Sequence, residues 1–401
     1  TDHGYNATPV WNIVGTTLAN LSPASDRQLW WLTRIDPMFI VGMAAMIWWA
    51  FGWRTLCVAL AVFATNFPSR FYWTGGAYLR WDWLFHLTAG VCFIKKDKPV
   101  VGGFLVAYSA LLRVFPGFLF VGPLFVIAQQ LGDSSRGPAL LRRVDRSYRA
   151  VILGAALAVA TLVPLSLVVS NGVDSYRMFV RNSKKHTSTA MTNYMGWRTV
   201  VTYKEKEAGR YLRTDGLEDP WKDWKDARLR TFHERSWIYI LGIVGFVTLL
   251  FKAVRGLAAW EATALSALMI AVVPELTCYY YSFLIVMALL WAKRKEVGLA
   301  LLAVTAATGF IDWAPTQYFL SQDSPWGYLQ MPTWLDEQYT WMSVATLLGI
   351  GYILYVFGLA PPAAPTAAMS AGAGASVVAA ESTPTGTAEA AGPSADTTQQ
   401  K

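Results

Sequence analysis

The residues of this chain that could do chemistry are charged or phenolic side chains set inside apolar surroundings. Tyr78-Leu79-Arg80-Trp81-Asp82-Trp83 places a cation and an acid two positions apart, and His86 follows one turn beyond Asp82 on the same helical face. Leu111-Leu112-Arg113-Val114-Phe115-Pro116-Gly117 sets an arginine at the tip between two short apolar runs. Pro274-Glu275 leads into Tyr279-Tyr280-Tyr281. Ionisable groups are expensive in an apolar setting, so charges drawn from separate segments to one depth predict a shared site. Isolated snorkelling anchors would be the simpler alternative for any one of them.

A second basic group, Arg181, Lys184, Lys185 and His186, stands just past an apolar run. It suits an anion-binding rim, since arginine and lysine clusters hold phosphates, although a solvated basic face would have the same composition. Downstream, Trp197, Tyr203, Tyr211, Trp221 and Trp224 alternate with charges. Such aromatics could stack on sugar rings or rest in a membrane interface.

The elements that must position these groups are membrane helices. Of 401 residues, 54% are hydrophobic and only 15% charged, well below the usual charge content of soluble domains. Nineteen Trp, 18 Tyr and 20 Phe suit headgroup depth. The net charge of +8 sits in short clusters between apolar runs, a pattern of membrane topology rather than of nucleic-acid binding. Cys57, Cys92 and Cys278 show no paired spacing, so neither a zinc site nor a disulfide framework is expected. No metal or other cofactor is predicted.

Apolar runs at 37–51, 55–66, 78–94, 99–112, 117–130, 150–170, 237–251, 257–274, 276–292, 296–312 and 341–360 predict about eleven helices in an all-α polytopic bundle. Several are too short for a simple span, which predicts kinked or partly re-entrant helices. With residues 1–36 outside and one crossing per run, Arg54, Lys95-Lys96-Lys98, Arg142-Arg143-Arg146-Arg149, Lys252-Arg255 and Lys293-Arg294-Lys295 all fall on one face. The excess of cations marks that face as cytoplasmic. The 67–77, 313–340 and large 171–236 loops then lie outside. Residues 1–361 form the membrane domain, and 362–401, rich in Ala, Pro, Thr, Gly and Ser, form a disordered cytoplasmic tail. The chain starts at Thr1 without Met or a signal-like segment, so at least one further membrane segment is expected upstream.

Taken together, the arginine before Phe115-Pro116 between short helices, the single large outer loop, and Pro274-Glu275 ahead of the tyrosine run resemble the GT-C class of polytopic glycosyltransferases. The likeness is to bacterial members similar to polyprenol-phosphate-mannose-dependent mannosyltransferases, and it spans most of residues 1–360. It implies a bacterial inner-membrane enzyme that moves a sugar from a polyprenyl-phosphate donor to a glycan, lipid or protein acceptor at the outer face. In that class a carboxylate of the first outer loop is the general base. Residues 1–36 match the remnant of that loop, and Asp2 is their first acid; Asp26 and Asp36 are its rivals, Asp36 being better suited to capping the helix at Pro37. The resemblance implies that Arg80, Arg113, Lys184 and Lys185 hold the donor phosphate, with Asp82, His86, Glu275 and Tyr279 nearby.

Two other classes compete. A secondary transporter would place its charges at the bilayer midplane, whereas these crowd one interface. Another polytopic lipid-processing enzyme, an acyltransferase for example, would call for a partnered intramembrane His motif, and His86 stands alone.

Overall fold

The computed structural model describes residues 7–69, 78–137, 139–321 and 335–359. It is about 81% helical, and among the described residues the sheet is a single two-stranded pair, so the chain is all-α. Asp2, the greater part of the 67–77 and 322–334 connections, and the 362–401 tail lie outside the described residues.

The N-terminal segment holds two helices, Pro9–Ala19 and Asp26–Leu32. Thr8 caps α1 (Pro9–Ala19) by accepting from the Trp11 N–H, with Pro9 in the first turn. Ser25 does the same for Gln28 at α2 (Asp26–Leu32). Next, α3 (Ile35–Phe51) ends at Gly52, whose φ of 80° turns the chain sharply into α4 (Trp53–Thr65). Residues 78–81 form a turn, and α5 (Asp82–Lys95) begins at the acid itself. Then follow α6 (Pro99–Arg113), the 3₁₀ turn Phe115–Phe120, α7 (Val121–Gly132), the short α8 (Leu140–Arg143) and α9 (Arg146–Val169).

The large 171–236 loop is mostly helix. It holds α10 (Gly172–Ser188), β1 (Tyr194–Met195), α11 (Trp197–Val201), α12 (Gly209–Leu212) and the start of α13 (Lys222–Ala253). At 32 residues α13 runs about 48 Å, beyond the ~30 Å of hydrocarbon, so its charged first turns stand clear of the apolar part. The remainder comprises α14 (Ala259–Leu265), α15 (Met269–Val272), β2 (Leu276–Thr277), α16 (Leu284–Ala288), α17 (Lys295–Ser321) and α18 (Leu335–Gly358). β1 and β2 pair antiparallel, Tyr194 opposite Thr277.

Among the described residues six helical segments are long and apolar enough to cross a membrane: Asp26–Phe51, Phe115–Gly132, Arg146–Val169, Lys222–Ala253, Lys295–Ala314 and Asp336–Gly358. The apolar helices Trp53–Thr65, Pro99–Arg113, Ala259–Val272 and Cys278–Ala292 are shorter. The helices α14, α15 and α16 are buried throughout and form the centre of the bundle. Around them α9 and α13 bury only 22% and 11% of their apolar windows, leaving Trp237, Ile240, Leu241 and Val244 exposed, as lipid contact requires. Small residues set the close crossings. A Cβ on Gly103 would strike the Val151 carbonyl, and one on Gly154 the Val100 carbonyl, so only glycine lets α6 and α9 approach this closely.

The basic clusters gather at one end of the bundle. Lys95 Nζ lies 4.9 Å from the Trp260 ring, Phe51 stacks edge-on against that ring, Tyr148 donates to the Leu257 carbonyl, and Lys293 pairs with Glu261 at 3.3 Å. By its excess of cations this is the end expected to face the cytoplasm, the inner end. At the outer end Asn12 meets Ser170 at 3.1 Å and the Tyr78 hydroxyl donates to the Gly15 carbonyl.

Candidate functional site

The site is assembled at the outer end from the starts and stops of helices. Asp36 lies in the first turn of α3, and its side chain turns away from its own helix. Its carboxylate accepts from the backbone N–H of Arg80 at 2.9 Å and of Trp81 at 3.0 Å. The expected cap is thus a cross-link that fixes the 78–81 turn. Both Arg80 and Arg113 lie near enough to act on the Asp36 charge, and Arg113 also acts on Asp82. Two guanidinium groups and two carboxylates from α3, the turn before α5, α5 and the end of α6 therefore lie within electrostatic reach of one another.

Three of these four side chains keep unused hydrogen-bonding capacity. The Nε atoms of Arg80 and Arg113 and Oδ2 of Asp82 are buried without a hydrogen-bond partner. Buried polar groups are nearly always paired, so three orphans in one cluster mark a place for a polar ligand. The backbone around both arginines is strained as well. Leu79 has φ 51° and Val114 φ 57°, two of the three positive-φ residues other than glycine among those described. For a β-branched residue such as Val114 this is a genuine outlier, and such outliers cluster at functional sites.

Aromatic rings close the site. Arg80 sits 4.6 Å above the Tyr279 ring, and Tyr279 stacks on Tyr280 at 4.5 Å. Tyr280 in turn meets Phe115 at 4.8 Å and Trp83 at 5.9 Å. Residues expected to be one site thus meet from three places in the sequence.

Other expected members go elsewhere. Glu275 is not in the arginine–carboxylate cluster: it accepts from Thr199 Oγ1 at 3.0 Å and lies 3.6 Å from both Arg198 and Arg228. With the β1–β2 pair, it fastens the 171–236 segment to the helix break at Pro274. The buried Arg228 needs a carboxylate, and no other ionised group faces it so closely among the described residues. His86 Nδ1 bonds the Asp82 carbonyl at 2.7 Å, not its carboxylate, and the ring is boxed by Phe39, Phe85 and Tyr108. It is a packing residue. Lys184 and Lys185 lie on the exposed face of α10, and among the described residues no contact links their side chains to the arginine cluster. Their neighbour His186 does turn inward, its Nε2 3.0 Å from the Tyr194 hydroxyl. Burial, then the Glu275 carboxylate, raises the Tyr194 pKa above the usual phenol value, so this hydroxyl keeps its proton.

A second cluster at the same end was not anticipated. Asp336, at the start of α18, accepts from Trp224 Nε1 at 2.8 Å and from the Gly209 N–H, while Glu337 takes the Tyr203 hydroxyl at 3.0 Å and pairs with Arg210 at 3.3 Å. The only signal was two adjacent acids ahead of an apolar run. Among the described residues no group of three or more His, Cys, Asp and Glu is arranged to hold a metal ion. No protein-family model, curated protein or solved structure matches this chain.

Proposed function

We propose that the chain is a membrane glycosyltransferase of GT-C type with about eleven membrane helices, some of them partly re-entrant, in which Arg80 and Arg113 bind the phosphate of a polyprenyl-phosphate sugar donor. One observation carries the reading: two arginines from different elements bring buried, unpartnered N–H groups to one outer-end cluster. A phosphate monoester or diester offers oxygens in the geometry that a planar guanidinium prefers. The aromatic wall of Tyr279, Tyr280 and Trp83 suits the apolar face of a sugar ring.

In the reaction an acceptor hydroxyl attacks the anomeric carbon as the bond from that carbon to the phosphate oxygen breaks. The phosphate leaves with the electron pair, and the arginines stabilise the charge that grows on it. A carboxylate takes the hydroxyl proton. Asp2, or an acid ahead of Thr1, fills that role by resemblance to the class, with the bacterial inner membrane as the setting.

The test is transfer of labelled sugar from polyprenyl phosphate by membranes holding matched amounts of each protein. Arg113→Ala should lower turnover about 100- to 1,000-fold, the usual cost of one charge-stabilising donor. Arg113→Lys should retain only part of the activity, because it keeps the charge and loses the fork. Full activity in Arg113→Ala would remove Arg113 from the mechanism. No transfer by the full-length wild type from any polyprenyl-phosphate sugar would sink the enzyme reading.

A further inference from the structure

At the inner end, far from the arginine–carboxylate cluster, an open groove of about 970 Å³ lies between the first turns of α6 and α9. Its rim carries Lys98, Arg146 and Arg149 against one acid, Asp97. None of the three cations is tied into an ion pair with an acid among the described residues. The wall that continues towards the middle of the bundle is apolar, with Val101 44% and Leu153 53% exposed. Beside the groove Gly103 and Gly154 bring the α6 and α9 backbones into contact at Val151 and Val100.

The geometry points to a binding site for an anionic phospholipid of the inner leaflet, its phosphate on Lys98, Arg146 and Arg149 and its acyl chains along Val101 and Leu153. Three cations outside any ion pair among the described residues, Lys98 also 5.9 Å from the Trp49 ring, lie beside an apolar wall and match the two halves of such a lipid. A free anion would use the cations and have no use for the wall. Basic pockets between membrane helices at this depth select acidic headgroups by charge, and each cation near the surface contributes independently.

The full-length protein in neutral detergent is titrated with dioleoylphosphatidylglycerol and, separately, with dioleoylphosphatidylcholine, and bound lipid is counted by native mass spectrometry. Phosphatidylglycerol should bind in preference. Arg146→Gln should weaken it about fivefold, and the triple replacement K98Q/R146Q/R149Q about a hundredfold, while phosphatidylcholine binding stays unchanged. All three side chains are exposed, so the variants should fold, and an unchanged melting temperature checks this. Neutralising Lys293, Arg294 and Lys295 instead should leave the tight adduct intact. Equal binding of the two lipids, an unaffected triple variant, or equal loss from the Lys293–Lys295 replacements would overturn the site. Displacement of the lipid by millimolar inorganic phosphate would overturn it too, by assigning the groove to a free anion.

Discussion

Asp36 Oδ1 accepts the backbone N–H of Arg80 at 2.9 Å across 44 residues of sequence, and that of Trp81 at 3.0 Å. The carboxylate pins the turn that carries one site arginine to the first turn of a membrane helix. Asp36→Ala leaves two amide donors without an acceptor and should destabilise the protein by about 2–4 kcal/mol. Asp36→Asn keeps one acceptor oxygen and should cost roughly half as much, since a neutral acceptor makes the weaker bond. Denaturant unfolding in detergent measures both, and an alanine variant as stable as wild type would refute the cross-link.

Val114 holds φ 57° with its side chain exposed, so its strain is not repaid by packing. Val114→Gly should relieve it and raise stability by about 1 kcal/mol, the strain less the extra chain entropy of glycine. On the proposed function, affinity for a polyprenyl-phosphate sugar should fall in the same variant, because Arg113 loses a rigid neighbour. A less stable Val114→Gly protein would mean that the backbone there is relaxed.

The α6–α9 crossing is governed by backbone contact at Gly103 and Gly154. Alanine at either position should cost about 1–3 kcal/mol by overpacking. Gly132, with nothing near its missing Cβ, is the control and should tolerate alanine without loss. Equal melting temperatures for Gly103→Ala and Gly132→Ala would show that the two helices do not meet this closely.

Glu275 neutralises the buried Arg228 and also holds Thr199. Glu275→Gln preserves the shape and strands a buried charge, a change worth about 3–5 kcal/mol. Adding Arg228→Met should recover much of that loss. A double variant no better than the single one would show that the pair is not coupled.

The helices were legible because an apolar run between polar breaks has few other solutions in a membrane, and the basic clusters named their shared end. The cluster of Arg80, Asp82 and Arg113 was legible for a related reason, since charges at one depth must meet each other or a ligand. Asp36 was misread as a cap: position in a helix gives the backbone register, but not the direction of a carboxylate that reaches 44 residues ahead. Glu275 was assigned to the wrong partners because Arg198 and Arg228 lie in a segment without apolar periodicity. There the sequence marked a loop, while ion pairs with α18 and with the Pro274 break order it into short helices. The strain at Leu79 and Val114 had no sequence signal, because neither residue type favours that backbone.

The Asp36 cross-link has a mechanical consequence. Helix α3 meets lipid along much of its length, and Met38, Val41 and Trp48 are all exposed. Helices of fixed length answer a thinner or thicker bilayer by tilting. When α3 tilts, its outer end moves, and the carboxylate there drags the Arg80 amide with it. Arg80 then shifts against Tyr279 while Arg113, anchored through α6 to the glycine crossing with α9, stays in place. On the proposed function, the spacing of the two arginines should follow membrane thickness, and transfer activity reconstituted in lipids of graded chain length should pass through a maximum.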